Sequence, residues 1–174
     1  FSIFEFKFSF MRKLIILFLF FSINLFANDF TRAETLYKQE KYALAKPIFE
    51  KIINREIPAH IIYEDEKTLA FLDIYPSVPG HTLVIPKNPT EFVWDLPASD
   101  YESLMAVSQK IALNLRGKLP QKYVHMSVVG TDVPHAHIHL IPFDTTKDFH
   151  NPDRMNHEPD HEQLAKMADL LRIS

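Results

Sequence analysis

The sequence predicts an antiparallel α+β domain, with five strands, one long helix and several shorter ones, preceded by a helical hairpin. Three observations lead to that class. Short β-type runs divided by turn residues begin beyond Pro58, one long helical stripe interrupts them, and a second helical pattern closes the chain. At 174 residues the chain is long enough to bury a real core in one such domain.

The strands come first. Ile61 to Glu64 and Leu69 to Ile74 flank Asp65-Glu66-Lys67 and predict a hairpin. Pro76 and Pro79-Gly80 break the chain, and His81 to Pro86 reads as a third strand. The spacing then predicts a helix over Ser99 to Arg116, with Leu104, Val107, Ser108, Ile111 and Leu115 on one stripe. Ser99 followed by Glu102 matches a capping box, and Gly117 with Pro120 would end the helix. Tyr123 to Val129 and His135 to Phe143 read as the last two strands, joined through Gly130-Thr131-Asp132. A polar, proline-marked stretch leads to a final helix from Glu162 to Leu171.

Ahead of the strands, Asp29 to Asn54 carries Leu36, Tyr37, Tyr42, Ala45, Phe49 and Ile52 at helical spacing. The segment resembles a single tetratricopeptide unit at Tyr42, Ala45 and Phe49, but one unit cannot bury its own face and no second copy follows. A helical lead-in packed on the main domain is the expectation. Before it, Met11-Arg12-Lys13, the uncharged run Leu14 to Phe26 and then Ala27 have the layout of a secretory signal peptide. The alternative is an uncleaved anchor, for which the run is short against the ~20 residues of a bilayer span. The expected organisation is upstream sequence over 1–10, leader over 11–27, helical lead-in over 28–46 and main domain over 47–174. Export follows if the leader is genuine, cytoplasmic residence if not, and membrane contact only if the leader is retained.

Composition excludes several chemistries. The chain has no cysteine, which removes disulfides, thiolate metal sites and cysteine nucleophiles. A net charge of −3 gives no basic surface for nucleic acid, so any phosphate site needs local donors.

Those donors are candidates in His135-Ala136-His137-Ile138-His139. In a strand the three histidines share one face, while Ala136, Ile138 and Leu140 face a core. Packing alone does not account for three imidazoles on one face, because each brings two nitrogens that need partners. One reading is a metal site. His135 and His139 would lie about 13 Å apart along a strand, too far for one ion, but two neighbours could chelate with help from His81. His150, His157 and His161 sit in a proline-broken tail and read as solvated surface. The other reading is nucleophilic catalysis, in which a neutral central imidazole attacks phosphorus with its neighbours orienting it and donating to phosphate oxygens. Spacing leans to the nucleophile and leaves both open.

His-Ala-His-Ile-His-Leu-Ile at 135–141 resembles the signature of the histidine-triad (HIT) family. Further blocks resemble the same family in the same order. Ile48 to Pro58 is similar to its opening helix, Tyr63-Glu64-Asp65 with Leu69 to Ile74 to its first hairpin, and Pro79 to Lys87 to its third strand. The resemblance covers about Pro47 to Phe143 and implies a HIT-like five-stranded sheet.

It also implies roles. The activity the resemblance implies is hydrolysis of a nucleoside phosphoramidate, dinucleoside polyphosphate or similar nucleotide conjugate at the α-phosphorus. His137 would attack and carry the nucleotide, and His139 would touch phosphate and leaving group. His135 would hold the His137 ring, and His81 would sit behind them. Asp73 would bind the ribose hydroxyls, and Phe49, Ile52, Phe71 and Ile74 would line the base pocket. Gly130, Thr131 and Asp132 form a loop shorter than the family's usual one. Thr131 stands for its glutamine, Asp132 where relatives carry a hydroxyl or carboxylate, and Ser127 is the candidate for its phosphate-contacting asparagine. Retention of His139, where related transferases have glutamine, favours a hydrolase. No cofactor is implied, a homodimer joined through its sheets is, and the alternatives are a nucleotide-binding adaptor or a zinc protein.

Overall fold

The computed structural model describes residues 48–131, 133–148 and 158–173. The chain divides into units over Phe1–Ala43 and Leu44–Ser174, and every described residue belongs to the second. The leader and the lead-in over 28–46 lie outside the described residues, so the expected helical hairpin is represented only by its last turns, helix α1 over 48–53.

Five strands follow: β1 (Ile61–Glu64), β2 (Thr68–Leu72), β3 (Thr82–Pro86), β4 (Tyr123–Ser127) and β5 (Ile138–Phe143). Helix α2 (Ala98–Lys118) lies between β3 and β4, and α3 (His161–Leu171) follows β5. The strands form one sheet in the order β1-β2-β3-β5-β4. Every pairing is antiparallel. The α+β class and the five-stranded antiparallel sheet expected from the sequence are what the chain forms.

Local chemistry explains the elements. In the β1–β2 turn, the Asp65 side chain accepts the backbone N–H groups of Lys67 and Thr68 at 2.9 and 2.7 Å, a side-chain substitute for a backbone turn. All of β2 and β3 is buried, because both faces of these central strands are covered. On one face Ala70, Leu72, Val84, Ile138 and Leu140 pack with Leu104, Ile111 and Leu115 of α2 and Leu164, Ala168 and Leu171 of α3. On the other, Leu69, Phe71, Leu83 and Ile85 pack with Phe49 and Ile52 of α1. The stripe expected on α2 is its buried set residue for residue. Near its end α2 also secures α3, since Asn114 Nδ2 and Lys118 Nζ donate to the carbonyls of Leu171 and Leu170, both at 2.6 Å.

Several boundaries differ from the sequence expectation, with β2 ending at Leu72 rather than Ile74 and β4 at Ser127 rather than Val129, and three further differences have a clear physical reason. Helix α2 is capped at Pro97 with no side-chain bond, and Ser99 lies inside it with its hydroxyl on Asp100. The Pro97 carbonyl itself accepts the N–H groups of Asp100 and Tyr101, so the capping box is not needed. Gly117 does not end the helix, which runs to Lys118 before Pro120, lacking an N–H, stops it.

The third difference matters most. Strand β5 begins at Ile138 rather than His135. Continued pairing would set Pro86 against Ala136, and Pro86 has no N–H to offer. The Ala136 N–H turns instead to the Thr90 carbonyl at 2.7 Å, and the His135 N–H to Val133. His135 and His137 therefore precede the strand that His139 belongs to. The alternation of faces survives all the same, because Ala136, Ile138 and Leu140 enter the helix-side core.

The α2 face is the main support of the sheet. Replacing the fully buried Ile111 with Ala is expected to cost about 2–5 kcal/mol, measured by urea unfolding.

Candidate active site

The histidine cluster rests on the α1 side of the sheet. His135 is 1% and His137 6% exposed, while His139 is half-buried. The Phe49 ring meets His135 and His137 edge-to-face at 5.7 and 5.5 Å between centroids, and His137 meets His139 at 5.0 Å. A helix residue, two loop residues and a strand residue thus build one surface.

Hydrogen bonds assign the protons. A carbonyl can only accept, so Nδ1–H of His137 donates to the His135 carbonyl, 2.7 Å away. In the neutral ring the lone pair is then on Nε2. By the same logic Nε2–H of His135 donates to the Pro86 carbonyl at 2.8 Å. The backbone N–H of Ser77 donates to Nδ1 of His81 at 3.2 Å, so neutral His81 carries its proton on Nε2. That nitrogen lies 3.0 Å from Nδ1 of His139 and donates to it, which leaves the His139 proton on Nε2. The site therefore holds an imidazole with a lone pair on Nε2, His137, beside one with a proton on Nε2, His139.

Asp73 joins from the end of β2. Its N–H bonds the His81 carbonyl, its Oδ1 accepts the Tyr75 N–H at 2.9 Å, and its Oδ2 lies 3.4 Å from His81 Nδ1. Asp73, His81 and His139 each offer a ligand atom within 4.8 Å of one another, the one such metal-capable group among the described residues.

Burial holds the His135 imidazole below the ordinary histidine value, and the adjacent His137 adds to this, against the opposing pull of the Pro86 carbonyl and Glu50. A ring that is hard to protonate stays neutral as a scaffold.

The HIT domain model matches residues 54–146, more than half of the chain. The chain belongs to the HIT family. An uncharacterised HIT-like protein of Borreliella burgdorferi is 39% identical over 102 residues, 55% of this chain and 73% of that one. Among solved structures, a HIT-like protein of Bartonella henselae involved in cell-cycle regulation superposes with a TM-score of 0.61 at 30% identity, covering 72% of this chain and 93% of that one. A hypothetical histidine triad nucleotide-binding protein of Sulfolobus tokodaii gives 0.60 at 28% identity, covering 70% and 87%.

The remaining residues singled out in the HIT sequence fall in different places. Phe49, Ile52 and Phe71 are buried together in one apolar cluster beside His135 and His137. Ile74 lies apart from them, 41% exposed, on a separate cavity with Pro76, Pro79, His81, Leu164 and Met167. Ser127 is the register partner of His139 across β4 and β5, which sets the two side chains on one face. Gly130 adopts φ +70° with open space where a Cβ would stand, and Thr131 is exposed. Asp132 lies outside the described residues. Sequence reading missed Ser77, Pro86 and Thr90 as site residues. Each acts through its backbone, and a backbone N–H or carbonyl leaves no trace in residue type.

His135 also sets a pH dependence. Its folded value lies below the unfolded one near 6.5, so as pH falls below about 6.5 the unfolded chain binds a proton that the folded chain refuses. Its contribution to stability is thus fully present above that pH and is lost on acidification. Between pH 7.5 and 5.5, urea unfolding is expected to show a larger loss of stability for the native protein than for His135→Gln.

Proposed function

We propose that this HIT protein hydrolyses nucleotide conjugates, of the nucleoside phosphoramidate or dinucleoside polyphosphate type, through a nucleotide carried on His137. The observation that carries this reading is the 2.7 Å bond from Nδ1–H of His137 to the His135 carbonyl, which reserves the Nε2 lone pair for attack.

The steps balance simply. Nε2 of His137 bonds to the α-phosphorus as the bond to the leaving group breaks, and the leaving group takes a proton from solvent while the Nε2–H of His139 donates a hydrogen bond to it. Water then attacks the same phosphorus, the bond to His137 breaks, and the nucleoside monophosphate departs while the water gives a proton back to solvent. As His137 becomes bonded at both nitrogens it gains positive charge, and the His135 carbonyl stabilises that charge through the N–H it already accepts. His139 and Ser127, side by side on β5 and β4, are the donors to phosphate oxygen. Asp73 is assigned the ribose hydroxyls, and Phe49, Ile52 and Phe71 the wall beneath the base. Gly130, Thr131 and Asp132 are assigned to substrate binding.

Dimerisation is a second part of the proposal. Strand β4 is a sheet edge, with Tyr123 and Met126 exposed, and Leu113 of α2 is 60% exposed beside Tyr123 and Phe143. An open edge next to apolar side chains is suited to pairing with its own copy.

Two measurements test these readings. With an adenosine phosphoramidate as substrate, His137→Ala should reduce release of the monophosphate by roughly 10⁴-fold or more while leaving the melting temperature near the native value. Undiminished turnover would remove His137 from the chemistry. By light scattering the native chain should have twice the mass of a single chain and Leu113→Glu the mass of one, whereas a native monomer refutes the dimer.

A further inference from the structure

We propose that the cavity between α3 and the β2–β3 connection is a binding site for a short branched alkylamine, separate from the site of the proposed hydrolysis. Its wall is apolar, formed by Leu72, Ile74, Pro76, Leu164 and Met167, and its volume is about 100 Å³. An apolar cavity of roughly 150 Å³ takes up benzene. The smaller space here suits a branched group of four carbons rather than a ring.

The sheet divides this cavity from the attacking histidine. Leu72 and Leu164 belong to the core on the α2 and α3 side, with Met167 packed against it. Phe71, the preceding residue of β2, faces the other way and packs with Phe49, whose ring meets His135 and His137.

The polar residues of the cavity supply the chemistry for a head group. Asp160 and Gln163 also line it, and both are exposed. Asp160 caps α3 by accepting the Gln163 N–H on Oδ1 at 3.0 Å. Among the described residues, nothing donates to its Oδ2. The one lysine of α3, Lys166, pairs with Glu162 at 2.6 Å instead. A carboxylate oxygen can only accept, so this position selects an ammonium group and repels an acid of the same shape.

Occupancy has a second readout. His81 lines the cavity too, and the Ser77 N–H that sets its tautomer lies between Pro76 and Pro79, which also line it. An amine seated against that connection changes the surroundings of the His81 ring. Binding itself does not depend on the proposed hydrolysis.

Isobutylamine titrated at fixed pH into the full chain, followed by NMR of methyl and imidazole groups, tests the site. Saturable shifts are expected at Leu164, Met167 and His81, with Met126 on β4 unmoved. Asp160→Asn keeps a good helix cap and removes the charge, so affinity should fall at least about threefold while the fold is retained. Isobutyrate, which matches the amine in shape and carries the opposite charge, should leave all of these signals in place. In the native protein, absent or non-saturating shifts, shifts of equal size at Met126, or equal binding of isobutyrate would each overturn the proposal. Unchanged affinity in a folded Asp160→Asn would overturn it as well.

Discussion

The hydrogen bond from His137 Nδ1–H to the carbonyl two residues earlier is the constraint on which the rest of the site depends. It is local in sequence, yet it forms only because the chain leaves the strand geometry that the residue pattern suggests. In an uninterrupted strand, carbonyls point along the sheet to neighbouring strands. Here Pro86 cannot donate to a partner, the chain before Ile138 bends away, and the His135 carbonyl becomes available to a side chain. One ring is thereby fixed in one tautomer, with the lone pair on Nε2.

Around that bond the structure supplies neutrality and rigidity rather than charge. Net charge is −3, so the chain as a whole carries no excess of cations to draw in a phosphate. Phosphate recognition must therefore come from N–H groups, and the relay from Ser77 through His81 to His139 delivers one by assigning a proton at each step. His135 plays a different part. Buried and hard to protonate, it ties the loop to the end of β3 and keeps Phe49 against both rings. The two covered faces of β2 and β3 hold this arrangement still, with α2 and α3 on one side and α1 on the other.

Much of this was legible in the residues. The α2 stripe, the β1–β2 turn and the switch of Ala136, Ile138 and Leu140 into the core are periodic signals, and periodicity survives translation into structure. The boundaries were less legible where backbone groups decide. Ser99 looks like a cap, but the Pro97 carbonyl captures the first turn. His135 looks like a strand residue, but the missing N–H of a proline on the neighbouring strand removes its pairing. The grouping of Ile74 with Phe49 and Phe71 treated apolar residues as one pocket. Strand β2 ends at Leu72, and the chain then carries Ile74 to the α3 side of the fold. The partners of His81 and His135 could not be read at all, since a main-chain donor is defined by fold and not by residue type.

The tautomer of His137 is therefore the quantity to measure. In nitrogen-detected NMR of the imidazole rings at neutral pH, the account predicts His137 protonated at Nδ1, with that proton bonded to a carbonyl and Nε2 unprotonated. A His137 ring protonated at Nε2 would have no lone pair there for attack and would contradict the account at its centre.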